Sequence, residues 1–328
     1  MENDVNRVAL VGCGKWGKNL ARNFAALGAL AAVVDNDESA AKAIATEHGV
    51  PAQTLSSILD DVSINAVAIA TPPVDHFTTA QAALLAKKHV FVEKPLALDV
   101  AEGQKLCAIS EQTNQVLMVG HLLHYHPAFQ KLQELIHAGE LGRVQYLYSH
   151  RLNLGMVRQE ENILWSFAPH DISMILSLVG TRAKVLHTVG AGYLNKKVAD
   201  VTTTHLSFPG GEQAHIFVSW LNPFKEHRLV VIGEAGMAVF DDSEPWETKL
   251  TIFPQPMEWV EGRPVPNRGD GVHMELCRTE PLAAECNHFL DCCRGLSTPR
   301  TDGREAMEVL RVLQESQQIL LGLSRGHD

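Results

Sequence analysis

The sequence predicts two domains of different class. Residues 1–121 read as an α/β domain with a parallel sheet, and residues 122–328 as an α+β domain with an open, mainly antiparallel sheet. Up to about His121, short continuous apolar runs alternate with segments of helical spacing, the pattern of parallel strands buried on both faces. Beyond it, longer runs alternate apolar and polar residues, as strands with one solvated face do. Length agrees: 328 residues exceed the roughly 250–300 over which single cores keep growing.

In the first domain, residues 7–11 read as a strand running into Gly12. Residues 15–27 follow as a helix with Trp16, Leu20, Phe24 and Leu27 on one side. Further strands are expected at 30–34, ending at Asp35, then at 65–70, 89–92 and 116–119. The helices between them fall at 39–48, 77–86 and 100–113. In the second domain a helix at 127–138 precedes Gly139 and Gly142. Strands then fall at 144–154, 185–194, 201–208, 213–221, 227–233 and 237–240. Gly210-Gly211 makes a hairpin turn between two of these. One long helix, 163–179, interrupts the sheet, and 281–293 and 303–323 are terminal helices, the last capped by Asp302. Residues 254–271, rich in Pro and Gly with weak periodicity, read as a loop.

With 45% hydrophobic and 20% charged residues, the chain has the composition of a soluble globular protein. A net charge of -10 argues against a nucleic-acid partner, whose binding domains are usually basic. None of the six cysteines forms a CxxC pair, and adjacent Cys292 and Cys293 suit neither a disulfide nor a metal. The reading is free thiols in a reducing compartment, with no metal site. The N-terminus has no basic region followed by a long apolar stretch, and its apolar run is too short to span a membrane. A cytoplasmic protein without a membrane partner is expected.

Gly12-Cys13-Gly14-Lys15-Trp16-Gly17 is a GxGxxG run with a strand before it and a helix after it. In that context it signals a dinucleotide-binding Rossmann domain. Gly12 allows the tight turn, Gly14 lets the backbone approach a pyrophosphate, and Gly17 lets the helix pack close to the sheet. The helix N-terminus offers unpaired N–H groups to the phosphates, so the whole run, with Cys13, Lys15 and Trp16, is a candidate cofactor contact. Asp35 ends the second strand about 20 residues further on. Its carboxylate can accept from both adenosine ribose hydroxyls and would repel a 2′-phosphate, and no arginine follows in Asn36-Asp37-Glu38. This favours NAD over NADP; a solvated turn aspartate is the alternative.

Glu93-Lys94-Pro95 follows the strand at 89–92, where a charged pair faces the ligand crevice of such a sheet. A solvated turn lysine is the alternative reading. The other motifs are Ala70-Thr71-Pro72-Pro73 with His76, Pro169-His170-Asp171-Ile172, and Asp302-Gly303-Arg304-Glu305-Ala306. Taken in this order with the glycine run, they resemble the Gfo/Idh/MocA oxidoreductase family over nearly the whole chain. The resemblance implies cofactor contacts from Thr71, Pro72, His76, Glu93 and Lys94. It implies that Lys94 reaches the reacting hydroxyl and the nicotinamide ribose, and that the Lys94-Pro95 bond is cis. An ammonium there stabilises a developing alkoxide. His170 matches the family's general base, a role the near-neutral pKa of an ordinary histidine suits; with sixteen histidines in the chain, a structural histidine is the alternative. One departure stands out. Many family dehydrogenases carry an aspartate four residues before this histidine, whereas this chain has Ser166, which cannot ionise. Asp171 lies about 100° further round a helix and is no simple substitute.

The segment His150-Arg151-Leu152-Asn153-Leu154-Gly155, with Arg158 and Trp165, resembles the nucleotide-sugar branch of the family, the UDP-N-acetylglucosamine 3-dehydrogenases. That likeness implies oxidation at C3 of UDP-N-acetylglucosamine, giving a 3-keto sugar for later transamination, with Arg151, Asn153, Arg158, Trp165, Lys94 and His170 at the substrate. Arg151 and Arg158 can meet a diphosphate in bidentate contacts, or be surface charge. Trp165 can stack on a ring or fill core. Other readings are a dehydrogenase of a free sugar or polyol such as an inositol, an NAD-dependent glycosidase, and a non-catalytic NAD-binding regulator. The family's use of the open sheet for assembly implies a homodimer or homotetramer.

Overall fold

A computed structural model describes residues 7–155, 157–158, 161–254, 257–266 and 269–322. The chain divides into two compact units, Met1–Tyr125 with Glu280–Leu310, and His126–Thr279 with Arg311–Asp328.

The first unit holds five parallel strands: β1 (Val8–Val11), β2 (Leu30–Val34), β3 (Ala66–Ile69), β4 (His89–Glu93) and β5 (Leu117–Gly120). Their order is β2-β1-β3-β4-β5. β1 and β3 are buried along their whole length, which is why they read as unbroken apolar runs. The crossovers carry α1 (Lys15–Ala26), α2 (Glu38–His48), α3 (Leu55–Asp60), α4 (His76–Leu85) and α5 (Val100–Thr113). α3 was not legible in the sequence; it is one short turn-and-a-half that buries only Ile58 and is capped by Thr54. Because all five strands run the same way, the chain after each emerges at one edge. Gly12, Asp35, Ala70 and Lys94 follow there.

The second unit begins with α6 (Pro127–His137). Its sheet contains β6 (Val144–Leu154), β7 (Lys184–Ala191), β8 (Val201–Ser207), β9 (Gln213–Ser219), β10 (Leu221–Gly233), β11 (Gly236–Asp241) and β12 (Leu250–Pro254). Among the described residues β13 (Met257–Val260) and β14 (Arg263–Pro266) pair with each other alone, and β15 (Val272–His273) completes the sheet. The order is β15-β12-β11-β10-β6-β9-β8-β7, antiparallel throughout except for the parallel pair β6–β9. α7 (Ile163–Val179) packs on one face, against β6, β8 and β9. The other face carries Tyr146, Tyr148, His150, His215 and Phe217, whose rings lie side by side.

Two corrections follow. Residues 254–271 are not all loop. Glu261 and Gly262, with φ of 50° and 75°, form the two-residue turn that joins β13 to β14. Pro264 and Pro266 obscured the strand, but the ribbon is fully exposed and pairs on one edge only, where proline is tolerated. The second correction concerns the boundary at 121. α8 (Pro281–Cys293) belongs to the first unit, as does α9 (Gly303–Leu320) up to Leu310. The apolar stripe of α8, Leu282, Cys286, Phe289 and Leu290, is buried in the same core as Leu20, Phe24 and Phe91. Phe289 meets Phe24 and Phe91 edge-on. A helix settles where a matching apolar face exists, whatever its place in the chain. Asp302 does cap α9, its Oδ1 accepting the N–H groups of Arg304 at 3.0 Å and Glu305 at 2.8 Å.

Among the described residues no helix is long and apolar enough to cross a membrane. All six cysteines are free thiols.

Candidate functional site

Gly12 adopts φ of 100°, and a Cβ there would lie 2.6 Å from the Ala70 carbonyl. A Cβ on Gly17 would lie 1.9 Å from the Gly12 oxygen. Both glycines are therefore demanded by the protein's own packing. Gly14 differs: a Cβ there would meet nothing. It caps α1 without any side-chain hydrogen bond, so the first N–H groups of the helix face an open cradle. Thr71 Oγ1, buried beside that turn, has no hydrogen-bond partner. An open glycine, a bare helix N-terminus and an orphaned hydroxyl together fit a dinucleotide.

Asp35 is pinned at this cradle. Its Oδ2 accepts the Cys13 N–H at 2.5 Å and its Oδ1 the Asp37 N–H at 2.8 Å. Each oxygen keeps a further lone pair for a ribose hydroxyl. The Cys13 thiol is buried, and burial with the Asp35 charge pushes it up to about 11, so Cys13 contributes backbone rather than sulfur chemistry. Lys15 and Pro72 are exposed, and Trp16 is partly so. The Trp16 indole N–H donates to Glu93 Oε1, linking the glycine turn to β4. Burial pushes the Glu93 carboxyl up to about 7, against the opposing pull of Trp16, Lys94 and His121.

Lys94 is half-buried at the end of β4, and the Lys94-Pro95 bond is cis, as the resemblance implied. His76 is 1% exposed, and both its ring nitrogens face main-chain carbonyls: Nδ1 that of Pro95 at 2.7 Å, Nε2 that of Thr71 at 2.9 Å. The structure thus places His76 behind the loops, with no ring nitrogen left for a cofactor.

Two further groups of this unit escaped the sequence reading. His121 is buried with Nδ1 2.6 Å from Glu305 Oε2. Glu285 is fully buried on α8, and neither carboxylate oxygen has a hydrogen-bond partner. Burial and the Glu93 charge hold it well above the carboxylate range. A signal for Glu285 existed: it interrupts the stripe Leu282, Cys286, Phe289 at helical spacing.

In the second unit, Asn162 caps α7 and His170 lies half-buried along it. The substrate residues expected here divide. Arg151 is buried, and its Nε donates to Asp171 Oδ2 at 2.6 Å and its Nη2 to Oδ1 at 3.2 Å. Ser149 Oγ donates to the same carboxylate. Arg151 is thus an internal anchor between β6 and α7 rather than a diphosphate contact. Side chains alternate along β6, and Leu147, Ser149 and Arg151 face the helix; a buried guanidinium there needs a counter-charge. Burial and the Arg151 charge hold nearby His227 down at about 3. Trp165 fills core, 9% exposed, with its indole N–H donating to Gln317 Oε1 at 3.1 Å, so it is not a stacking platform. Ser166 is buried. Asn153 is half-buried at the end of β6, and Arg158 is exposed and paired with Glu161 Oε1 at 3.2 Å.

Comparison with known proteins agrees with this geometry. The model of the oxidoreductase family with an NAD-binding Rossmann fold matches residues 6–121, and that of the GFO/IDH/MocA C-terminal domain matches residues 129–239. UDP-N-acetylglucosamine 3-dehydrogenase of Acidithiobacillus ferrooxidans is 28% identical over 306 residues, 93% of this chain and 94% of that protein. A solved structure of the enzyme of that name and organism matches with a TM-score of 0.85 at 25% identity, covering 97% of this chain and 98% of that one. The scyllo-inositol 2-dehydrogenase (NAD(+)) of Bacillus subtilis is 26% identical over 317 residues, 91% and 89% of the two chains. With both of its domains matched in order, the chain belongs to the Gfo/Idh/MocA family of oxidoreductases, and its first unit carries that family's NAD-binding Rossmann fold.

Proposed function

We propose that this protein oxidises a secondary hydroxyl of a sugar to a ketone with NAD, and that its substrate is UDP-N-acetylglucosamine, oxidised at C3. The observation that carries the reaction is Lys94. It is a half-buried residue directly after β4, in the same unit as the glycine cradle. The substrate assignment draws on the relative that shares 28% identity across 94% of its length.

Gly12 to Gly17, Thr71 and Asp35 would hold the dinucleotide, and NAD bound there would supply the hydride acceptor. Asp35 selects NAD over NADP, because its carboxylate, held at the cradle by two main-chain N–H groups, repels a 2′-phosphate. Lys94 stabilises the alkoxide that develops on the reacting oxygen. His170 takes the hydroxyl proton, and Ser166 leaves it without a carboxylate four residues before it. Of the two arginines first assigned to the diphosphate, only Arg158 is exposed. Assembly through the ring-bearing face of the large sheet completes the reading, as a homodimer or homotetramer.

One observation favours a second reading. Arg151 is engaged by Asp171, which removes one of the two arginines expected at a diphosphate and supports a free sugar or polyol substrate instead. The experiment that decides is proton exchange at C2 and C3 of UDP-N-acetylglucosamine, followed by NMR in deuterated solvent with and without NAD. A 3-keto sugar enolises and loses its C2 proton to solvent, and an added amine reagent captures it. NAD-dependent loss of the C2 signal, abolished in Lys94→Ala, supports the assignment. No exchange and no capture with NAD bound rejects UDP-N-acetylglucosamine in favour of free polyols.

A further inference from the structure

We propose that His76 is a positioning residue for Lys94, its imidazole, packed between the carbonyls of Pro95 and Thr71 at the carboxyl ends of β3 and β4, holding the Pro95 carbonyl by a hydrogen bond. The inference rests on the role given to Lys94 above.

His76 is the first residue of α4, and its ring reaches the loops that leave β3 and β4. Pro95 is joined directly to Lys94. Thr71 follows Ala70, whose carbonyl is what a Cβ on Gly12 would strike. One side chain therefore links the backbone at the root of the lysine to the backbone that bounds the glycine turn. A lysine carries its ammonium on a flexible four-carbon stem, so the root decides how often the charge is in place. The ring is buried, and no solvent competes for these two bonds.

Proton counting ranks the two contacts. Both partners are carbonyl oxygens, which only accept, and a neutral imidazole has a single N–H. The proposal places that proton on Nδ1, whose contact with Pro95, at 2.7 Å, is the shorter of the two. The Nε2 contact with Thr71 becomes a hydrogen bond only when a second proton binds. Burial opposes that second proton most, with the Lys94 charge adding to it; the Pro95 and Thr71 carbonyls and Asp75 favour it, and burial wins. In the neutral form His76 thus holds the lysine loop first.

Asparagine and glutamine separate the two bonds, because the asparagine amide sits where Nδ1 was and the glutamine amide where Nε2 was. His76→Ala should lower kcat about 100-fold, the scale of a misplaced catalytic group, with the KM for NAD changed less than about threefold. His76→Asn should recover most of that loss, and His76→Gln should not. Should His76→Ala fail to fold, the Asn and Gln variants decide alone, and equal kcat values in the two overturn the proposal. So does a His76→Ala enzyme with wild-type kcat while Lys94→Ala is inactive. If Lys94→Ala itself turns over normally, the assignment of Lys94 falls, and the positioning role with it. A readout independent of turnover is ¹⁵N NMR of the ring nitrogens in the NAD-free protein, with His76 assigned by its loss in His76→Asn. A proton on Nδ1 at alkaline pH supports the tie to Pro95; a proton on Nε2 overturns it.

Discussion

At the carboxyl ends of β1, β3 and β4, parts are held together by main-chain groups. The Gly12 oxygen lies against Gly17, the Ala70 carbonyl against Gly12, and the Pro95 and Thr71 carbonyls against one buried imidazole. The seam between β6 and α7 is built differently. There a buried arginine and a buried aspartate, with Ser149 as a third partner, hold the helix that carries His170 on the sheet. The contacts of the first arrangement run through main-chain carbonyls, and two of them need a glycine with no Cβ. The second depends on two charges whose desolvation is tolerated only while both are present. The two regions should therefore fail in opposite ways: the first when an atom is added, the second when one is removed.

The largest stability loss should come from the seam. Arg151→Ala or Asp171→Ala leaves a lone charge under α7 and should cost ~3–5 kcal/mol, read as a fall in the urea midpoint. The double change Arg151→Met with Asp171→Leu should recover most of that loss. A double variant no more stable than the singles would show that the seam needs its charges for more than mutual neutralisation. Gly17→Ala comes next. Its Cβ falls on the Gly12 oxygen, so the turn must shift, at ~1–3 kcal/mol, with NAD affinity falling alongside. Gly14→Ala sharpens the point, since its Cβ meets no protein atom. It should leave the melting temperature unchanged and weaken NAD alone; equal destabilisation by the two alanines would refute the distinction.

The smallest effect concerns Glu285, the buried acid with no counterpart to Arg151. Its carboxyl is held above the ordinary range by burial and by the Glu93 charge. The unfolded chain therefore releases this proton first as pH rises. The stability tied to it is complete below the unfolded value and is lost as pH rises toward the folded one. Glu285→Gln removes that slope. Its stability should match wild type in acid and exceed it by about 1 kcal/mol in alkali, the scale of one buried unsatisfied group. Parallel stability curves for the two proteins across pH would show that Glu285 has an internal partner.

Much of this was legible along the chain. The helices Val100–Thr113, Ile163–Val179 and Pro281–Cys293 and the long strand Val144–Leu154 match the predicted limits residue for residue. Each is bounded by a polar or glycine residue at both ends, so its limits are readable locally. The ribbon of β13 and β14 escaped because its residues are exposed on both faces and leave no alternation to read. Arg151 and Trp165 were misplaced for the opposite reason. Each has a residue type common at ligand sites, and only the partner brought from another part of the chain, Asp171 or Gln317, shows it to be interior.

The sequence by itself determined the alternation that makes one sheet parallel and the other mainly antiparallel, the glycine turn between β1 and α1, and the places of Asp35 and Lys94 directly after β2 and β4 and of His170 on α7. These are local properties, because backbone sterics and side-chain period act over a few residues. The tertiary structure alone decided that α8 returns to the first unit, that Arg151 answers Asp171, and that His76 turns inward to two carbonyls. Those outcomes depend on which groups meet after burial, and desolvation assigns partners by proximity in space, which no local pattern records.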